Sequence, residues 1–214
     1  MPDPMTNTDH LHMPQEHMEA LYASSNPMVR WVFQQRLNTL CKLLTETNPQ
    51  TVLDAGCGEG HLLERLQTLL PHAHLQGADA LAVPLAQAHL RAKRATLVES
   101  PLETLPFVSE TFDAVVCTEV IEHVVEPARV LAELWRVLKP GGTLIVTFPN
   151  ETNWTIARFL LGRRPIRVPD HLHAHTPRHI QSLVGVPPVR RLQLPLRLLP
   201  FVCSLGCVMV FKKM

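Results

Sequence analysis

The sequence predicts a doubly wound α/β fold with a mostly parallel, seven-stranded sheet that ends in a C-terminal antiparallel hairpin. Between residues 51 and 148, short apolar segments alternate with segments whose apolar residues recur at helical spacing. The apolar segments lack a polar face, as is typical of parallel strands covered by helices on both sides. Two later strand candidates flank Pro195 and Pro200, which favours a hairpin at the sheet edge.

Local signals set the predicted bounds of each element. Two helices precede the first strand and separate at Asn26-Pro27, because proline starts a helix more readily than it continues one. Thr176 is a typical N-cap for the last helix. The further helices are predicted at 61–70, 83–91, 127–138, 153–161 and 177–184, and the strands at 51–54, 74–78, 95–98, 112–117, 143–148, 189–194 and 202–212.

Positive charge is concentrated in the C-terminal part of the chain, although the net charge is only +1. Residues 1–150 contain 10 Lys/Arg and 17 Asp/Glu, whereas residues 151–214 contain 10 Lys/Arg and 2 acids. A basic region of this kind suits an anionic substrate, a phospholipid surface or nucleic acid, and a solvated basic face explains it equally well.

Composition also bears on the cell compartment. The five cysteines are scattered and odd in number, which argues against a disulfide framework. The chain has no apolar run of about 18 residues and no signal-peptide pattern at its start. These features predict a cytoplasmic protein with reduced cysteines.

A glycine-rich segment between the first strand and its helix predicts a ligand site. Gly56, Gly58 and Gly60 let a ligand approach the backbone beside the unpaired N–H groups of a helix N-terminus. The GxGxG spacing differs from that of dinucleotide sites, and Asp54 would repel a pyrophosphate. S-adenosylmethionine suits Asp54 better, because it carries an ammonium and a sulfonium. Cys57, within the same loop, is a further predicted cofactor contact.

An acid at the end of the second strand supports the same cofactor. Asp79 comes 19 residues after Gly60, where a doubly wound sheet has its binding crevice. A carboxylate there can accept hydrogen bonds from both hydroxyls of a ribose. The glycine loop and Asp79 together therefore indicate a cofactor that contains a nucleoside.

Two further segments carry acids and histidines. Glu119, Glu122 and His123 follow the fourth strand directly, so we expect them at the carboxyl end of the sheet. With a later histidine they would bind a divalent cation such as magnesium, manganese or zinc. Alternatively, the acids cap the next helix and the histidine packs. Alternating histidines from His171 to His175 offer a general base or the fourth metal ligand.

These motifs resemble, in order, those of class I methyltransferases of the small-molecule type 11 and type 12 group, which includes ubiquinone-pathway O-methyltransferases. The resemblance covers roughly residues 50–185 and implies a Rossmann-like fold and methyl transfer from S-adenosylmethionine. It is carried by VLDAGCGEG at 52–60, LPF at 105–107, FDAV at 112–115, EVIEH at 119–123 and LKPGG at 138–142.

The resemblance implies roles for the cofactor-site residues. Asp54 and the loop glycines would surround the methionine portion, Asp79 and Ala80 the ribose, and Leu102 the adenine. Relatives usually carry an Asp for the adenine amino group where this chain has Pro101. That departure leaves adenine recognition to the backbone around Leu102 or to nearby Glu99. On the sulfonium side the resemblance implies Thr118 and Glu119.

The resemblance also implies a metal-assisted reaction. The EVxEH pattern with a later histidine marks metal-assisted O-methyltransferases of quinones and of small-RNA ends, and His171 is the best match to that histidine. The predicted metal ligands, for magnesium or zinc, are Glu119, Glu122, His123 and His171. The predicted catalytic residues are His123, His171 and His175.

Three functional hypotheses stay open. The first is a methyltransferase, a transferase that O-methylates a small or lipid-linked metabolite. The second is a metal-assisted 2′-O-methyltransferase of RNA 3′ ends, which the basic C-terminal region favours. The third is a non-catalytic, cofactor-binding partner subunit, which the substitution at Pro101 favours. Peripheral membrane contact also fits the basic region.

We expect one domain, 20–214, after a disordered N-terminus, 1–19. Within the domain we expect a helical cap at 20–48, a cofactor-binding core at 49–150, a substrate-covering insert at 151–185 and edge strands at 186–214.

Overall fold

A computed structural model describes residues 18–162, 168, 171–196 and 199–214 and confirms the predicted α/β class. The helices are α1 (Met18–Tyr22), α2 (Pro27–Thr47), α3 (His61–Leu69), α4 (Ala82–Arg91), α5 (Pro127–Val137), α6 (Glu151–Leu160) and α7 (Pro177–Val184). The strands are β1 (Thr51–Ala55), β2 (His74–Asp79), β3 (Thr96–Glu99), β4 (Phe112–Thr118), β5 (Leu138–Pro149), β6 (Arg190–Leu194) and β7 (Gly206–Lys212).

The seven strands form one sheet in the order β3-β2-β1-β4-β5-β7-β6. β1 to β5 pair in parallel, and β7 lies antiparallel between β5 and β6, which confirms the predicted C-terminal hairpin. The strand order reverses between β1 and β4. Ligands of doubly wound sheets bind at such a reversal, outside the carboxyl ends of the strands.

Two apolar layers cover the sheet, one on each face. Alternate residues of β4 point to opposite layers, with Val115 and Cys117 on one side and Ala114 and Val116 on the other. The first layer contains residues of α5 and α7, and the second contains residues of α2, α3 and α4. β4 is therefore buried on both faces, which explains its continuous apolar sequence.

The LKPGG segment belongs to β5, whereas the sequence predicted it as the end of a helix. Leu138 pairs with Phe112 ahead of a register shift, so β5 starts five residues earlier than predicted. Lys139 Nζ lies 2.8 Å from Asp113 Oδ1, and the backbone N–H of Thr51 donates to Asp113 Oδ2 at 2.9 Å. These contacts join β1, β4 and β5 at the end of the sheet remote from the glycine loop.

Two other boundaries differ from the prediction. α1 begins at Met18, so the last two residues of the segment predicted as disordered are helical, and residues 1–17 lie outside the described residues. A 3₁₀ turn at Phe201–Cys203 delays β7 until Gly206. Within the described residues, no helix is both long enough and apolar enough to cross a membrane.

Candidate active site

The glycine loop connects β1 to α3 in a conformation that needs glycine. Gly56, Gly58 and Gly60 all have positive φ angles, 77°, 50° and 79°. A Cβ on Gly56 would come within 2.3 Å of the Val120 side chain, and one on Gly60 within 2.9 Å of the Ala88 backbone. A Cβ on Gly58 would meet nothing within 4 Å. The loop is therefore packed on two sides and open above Gly58, which fits a ligand that contacts its backbone.

Two acids lie beside this loop at the ends of adjacent strands. Asp54 is 3% exposed, and burial together with the Asp79 carboxylate raises the pKa of Asp54 to about 7. Asp79 accepts hydrogen bonds from the backbone N–H groups of Gly58 at 2.8 Å and Leu81 at 2.9 Å. Each carboxylate oxygen of Asp79 has a second lone pair, so it can still accept a hydrogen bond from a hydroxyl of a ligand.

The remaining predicted cofactor contacts differ in exposure. The Cys57 side chain is buried in the apolar core, where burial raises the pKa of its thiol, so only the Cys57 backbone lies along the loop. Leu102 is also buried in the core, whereas Pro101 is exposed and Ala80 partly exposed. The predicted contact of Cys57 with a cofactor would therefore be made by its backbone.

An acid and two histidines meet just after β4. Glu122, His123 and His171 each offer one ligand atom, and these atoms lie within 4.8 Å of one another. Glu122 is 1% exposed, and neither of its carboxylate oxygens has a hydrogen-bond partner among the described residues. Burial and the nearby Glu119 raise the pKa of Glu122 well above its usual range. An unpartnered buried carboxylate beside two imidazoles is a donor set that fits a divalent cation.

Glu119, the fourth predicted metal ligand, has other partners. Its Oε2 lies 2.9 Å from Arg36 Nη1, and its Oε1 accepts a hydrogen bond from Thr147 Oγ1 at 2.7 Å. Its backbone has a positive φ of 51°, which is unfavourable for a residue with a side chain. The predicted four-ligand set is thus a three-residue cluster with Glu119 bound to neighbouring groups.

Arg36 is a site residue that the sequence analysis missed. Its side chain is 9% exposed, its guanidinium lies 4.9 Å from the centre of the Phe33 ring, and its Nη2 lies 3.5 Å from the Tyr22 hydroxyl. Although burial opposes its charge, Glu119 raises the pKa of Arg36 above its usual value. The sequence contains one indication of this role, because Arg36 is a charged residue between Phe33 and Leu37 on the apolar face of α2.

The segment that carries His171 is attached to the turn after β4. The N–H groups of Leu172 and His173 both donate to the Glu122 carbonyl, at 2.8 and 3.2 Å. The rings of His171 and His123 meet edge to face, with their centroids 4.7 Å apart. These contacts bring together residues that are separated by about fifty positions in the chain.

His175 does not join this cluster. It is 3% exposed, and its Nε2 donates to the Ile121 carbonyl at 3.1 Å. Its Nδ1 lies 3.2 Å from His179 Nδ1, and burial lowers the pKa of His175. Both ring nitrogens of His175 therefore have partners, and the bond to Ile121 attaches the histidine-containing segment to the turn after β4. The predicted catalytic role therefore does not fit its position.

α2 and α6 contact each other through aromatic side chains. Phe33 of α2 meets Trp154 of α6, with ring centroids 5.8 Å apart. Every described side chain of α6 is at least partly exposed, including Ile156 at 51%, Phe159 at 65% and Leu160 at 76%. α6 therefore carries exposed apolar side chains, and its first residue, Glu151, contacts His171 of the acid–histidine cluster.

Taken together, the sheet order, the glycine loop and the acids at the strand ends define a Rossmann-like, class I methyltransferase fold. Residues 53–146 match the family model described as a methyltransferase domain. Two curated relatives are ubiquinone biosynthesis O-methyltransferases. The protein of Xylella fastidiosa is 32% identical over 160 residues, which are 70% of this chain and 56% of that protein. The protein of Hahella chejuensis is 38% identical over 107 residues, 46% of this chain and 43% of that protein.

Among solved structures, the methyltransferase domain of bacterial CtHen1-CN is 26% identical, with a TM-score of 0.66 over 85% of this chain and 99% of that domain. These similarities support a class I S-adenosylmethionine-dependent methyltransferase, with residues 53–146 as the matched methyltransferase domain. It spans about half the length of the two curated relatives.

Proposed function

We propose that this protein is an active S-adenosylmethionine-dependent methyltransferase that methylates a hydroxyl oxygen of a small or lipid-linked metabolite with a divalent metal, magnesium or zinc. The observation that carries the proposal is the buried carboxylate of Glu122, which has no hydrogen-bond partner in the described part of the chain and lies beside His123 and His171. The curated relatives named for ubiquinone biosynthesis support an oxygen acceptor.

The cofactor supplies a methyl group on a sulfonium, and the protein accelerates its transfer by holding the acceptor oxygen in line with that methyl. Asp54 binds the ammonium of the methionine portion. Asp79 accepts the ribose hydroxyls with its remaining lone pairs, and Gly58 allows close approach of the ligand to the loop. Thr118, whose buried hydroxyl oxygen has no hydrogen-bond partner among the described residues, would lie on the sulfonium side of the cofactor.

Glu122, His123 and His171 would hold the metal ion, which would supply Lewis-acid activation of the acceptor hydroxyl. A bound divalent cation lowers the pKa of a hydroxyl that it contacts. Without metal, His123 or His171 would act as the general base toward the acceptor hydroxyl. Glu119 stays paired with Arg36 on the wall of the site, which limits the negative charge around the reaction.

The acceptor lies between the helical cap, which includes α2, and the insert at 151–185, which includes α6. The exposed Phe159 and Leu160 support an acceptor with a long apolar tail, or contact with the membrane that holds it. Three arginines follow in the sequence at 163, 164 and 167, outside the described residues. A helix with exposed apolar side chains followed by basic residues suits the surface of an anionic membrane.

The first test measures metal binding and methyl transfer on the full chain. We expect calorimetry to detect Mg²⁺, Zn²⁺ or Co²⁺ binding that His123→Ala weakens at least about tenfold, because the variant loses one of three ligands. Methyl transfer should then require metal, stop with a chelator and favour a lipid-linked phenol in anionic vesicles over an amine. Metal-independent turnover would contradict the metal-assisted mechanism, and cofactor binding without turnover on any acceptor would favour a partner subunit.

A second candidate is methylation of an RNA 3′ end. It is favoured by the excess of 10 Lys/Arg over 2 acids in residues 151–214. The acceptor panel therefore includes an RNA oligonucleotide with a free 3′ end and one whose 2′ oxygen is blocked. Turnover of the free RNA alone would replace the small-molecule acceptor with this candidate.

Cofactor binding should depend on pH through Asp54. With a pKa of about 7, about a tenth of this carboxyl is ionised at pH 6 and about nine-tenths at pH 8. Because only the carboxylate attracts an ammonium, we expect the Kd for S-adenosylhomocysteine to fall about tenfold between pH 6 and 8. Asp54→Asn should bind more weakly, with little pH dependence. A constant Kd for the unmodified protein would exclude Asp54 as the ammonium partner.

A further inference from the structure

Glu151 contacts one of the proposed metal ligands from a different element of the fold. It is the first residue of α6, and its Oε1 lies 2.5 Å from His171 Nδ1. The side chains of Glu151 and His171 are 20% and 10% exposed, so the contact is largely shielded from water. Neither the family motifs nor the sequence analysis singles out Glu151.

This contact determines which nitrogen of His171 is available to a cation. A carboxylate only accepts hydrogen bonds, so the Nδ1 of His171 must carry the proton that it donates to Glu151. In a neutral imidazole the other nitrogen, Nε2, then keeps its lone pair. A ligand histidine whose second nitrogen donates to a carboxylate is a better metal ligand, because its tautomer and ring orientation are already set.

We propose that Glu151 is a positioning residue of the metal centre: it holds His171 with Nε2 as the ligand atom and thereby raises the affinity for the metal. This inference rests on the proposed metal-assisted function. It links the helix that covers the acceptor to the metal centre.

The start of α6 holds Glu151 in place. Asn150, the N-cap, donates from its backbone to the Leu205 carbonyl at 2.9 Å and from its side chain to the Phe201 carbonyl at 2.7 Å. The residue before Glu151 is therefore held by two hydrogen bonds to the segment that leads into β7, and these bonds fix the start of α6. A purely structural role is the alternative, because an acid in the first turn also stabilises a helix through its dipole.

Metal affinity separates the two roles. We expect Glu151→Ala to weaken Co²⁺ binding about 10- to 100-fold, and Glu151→Gln to weaken it less, because its amide oxygen still accepts the Nδ1 proton. Affinity for S-adenosylhomocysteine should stay within twofold in both. Glu126→Gln is the matched control: it also removes a helix-start acid, but one that is 60% exposed and paired only with Arg129 among described contacts. It should leave Co²⁺ affinity unchanged.

A measurement without metal tests the contact itself. Nitrogen-15 NMR at pH 8 reports the tautomer of His171, whose signals are assigned by their absence in His171→Gln. We expect the Nδ1–H form in the unmodified protein and a shift toward Nε2–H in Glu151→Ala.

The outcomes distinguish this inference from the proposed function. If Glu151→Ala binds Co²⁺ as tightly as the unmodified protein, or if His171 is an Nε2–H tautomer, Glu151 is not a positioning residue although the metal centre stands. If the unmodified protein binds no metal, the metal-assisted function fails, and this role of Glu151 fails with it whatever the tautomer.

Discussion

Glu122→Leu is expected to stabilise the fold by about 1–3 kcal/mol and to abolish metal binding. Within the residues that the structure describes, the two buried oxygens of Glu122 have no hydrogen-bond partner, and leaving a buried polar group unpaired costs about 1–3 kcal/mol. Its replacement by an apolar side chain removes this cost together with a metal ligand. Opposite effects on stability and binding are the signature of a residue retained for function. Urea unfolding and Co²⁺ titration measure the two effects.

The gain in stability should grow with pH. Because burial raises the pKa of Glu122 in the folded state, this residue adds no ionisation cost below its unfolded pKa, where it is protonated in both states. The cost of ionising it in the folded state grows as pH rises toward the folded pKa. Leucine does not titrate, so its advantage should be larger at pH 8 than at pH 5. Glu122→Gln keeps a buried polar group and should gain less. A loss of stability in Glu122→Leu would show that Glu122 has a stabilising partner.

Arg36→Met should reduce the free energy of unfolding by about 3 kcal/mol. Removing one partner of a buried ion pair leaves the other charge without compensation, and Glu119, at 22% exposed, lies beside the second acid Glu122. Methionine conserves most of the apolar volume against Phe33, so lost packing contributes little. Urea unfolding at pH 8 measures the loss.

Two comparisons isolate the charge effect. The double variant Arg36→Met/Glu119→Gln should recover most of the stability, because it no longer buries an unpaired carboxylate. Arg30→Met removes an arginine on the exposed side of α2, whose Nη1 donates to the Ser24 carbonyl, and should cost less than about 1 kcal/mol. Equal losses in the single and double Arg36 variants would assign the effect to packing.

Much of the fold was predictable because it follows from local sequence patterns. Apolar segments without a polar face identify the central strands, and Pro27 and Thr176 mark helix starts that the structure confirms. The exceptions depend on pairing. The LKPGG segment becomes part of β5 because Leu138 finds Phe112 across the sheet, and that pairing has no signal near residue 138.

The candidate site also contains parts that local sequence patterns predict and parts that only tertiary packing determines. The spacing of Gly56, Gly58 and Gly60 determined a loop with three positive φ angles, because only glycine adopts that backbone without strain. The EVIEH motif determined that Glu122 and His123 lie after β4. The positions of Arg36 and Glu151 relative to these motifs were not predictable, since α2 and α6 come from distant parts of the chain.

By itself, then, the sequence determined the class of fold, the cofactor loop and the residues available for a metal. Only the tertiary structure decided which of those residues remain available to a metal and which have other partners. Arg36 and Thr147 bind Glu119, and Glu151 binds His171. His175 is buried against the Ile121 carbonyl. The physical reason is the distance along the chain over which each property is determined. Backbone conformation and apolar periodicity are set by neighbours in sequence, whereas the charge and hydrogen-bond partners of a buried side chain are set by whichever elements pack against it.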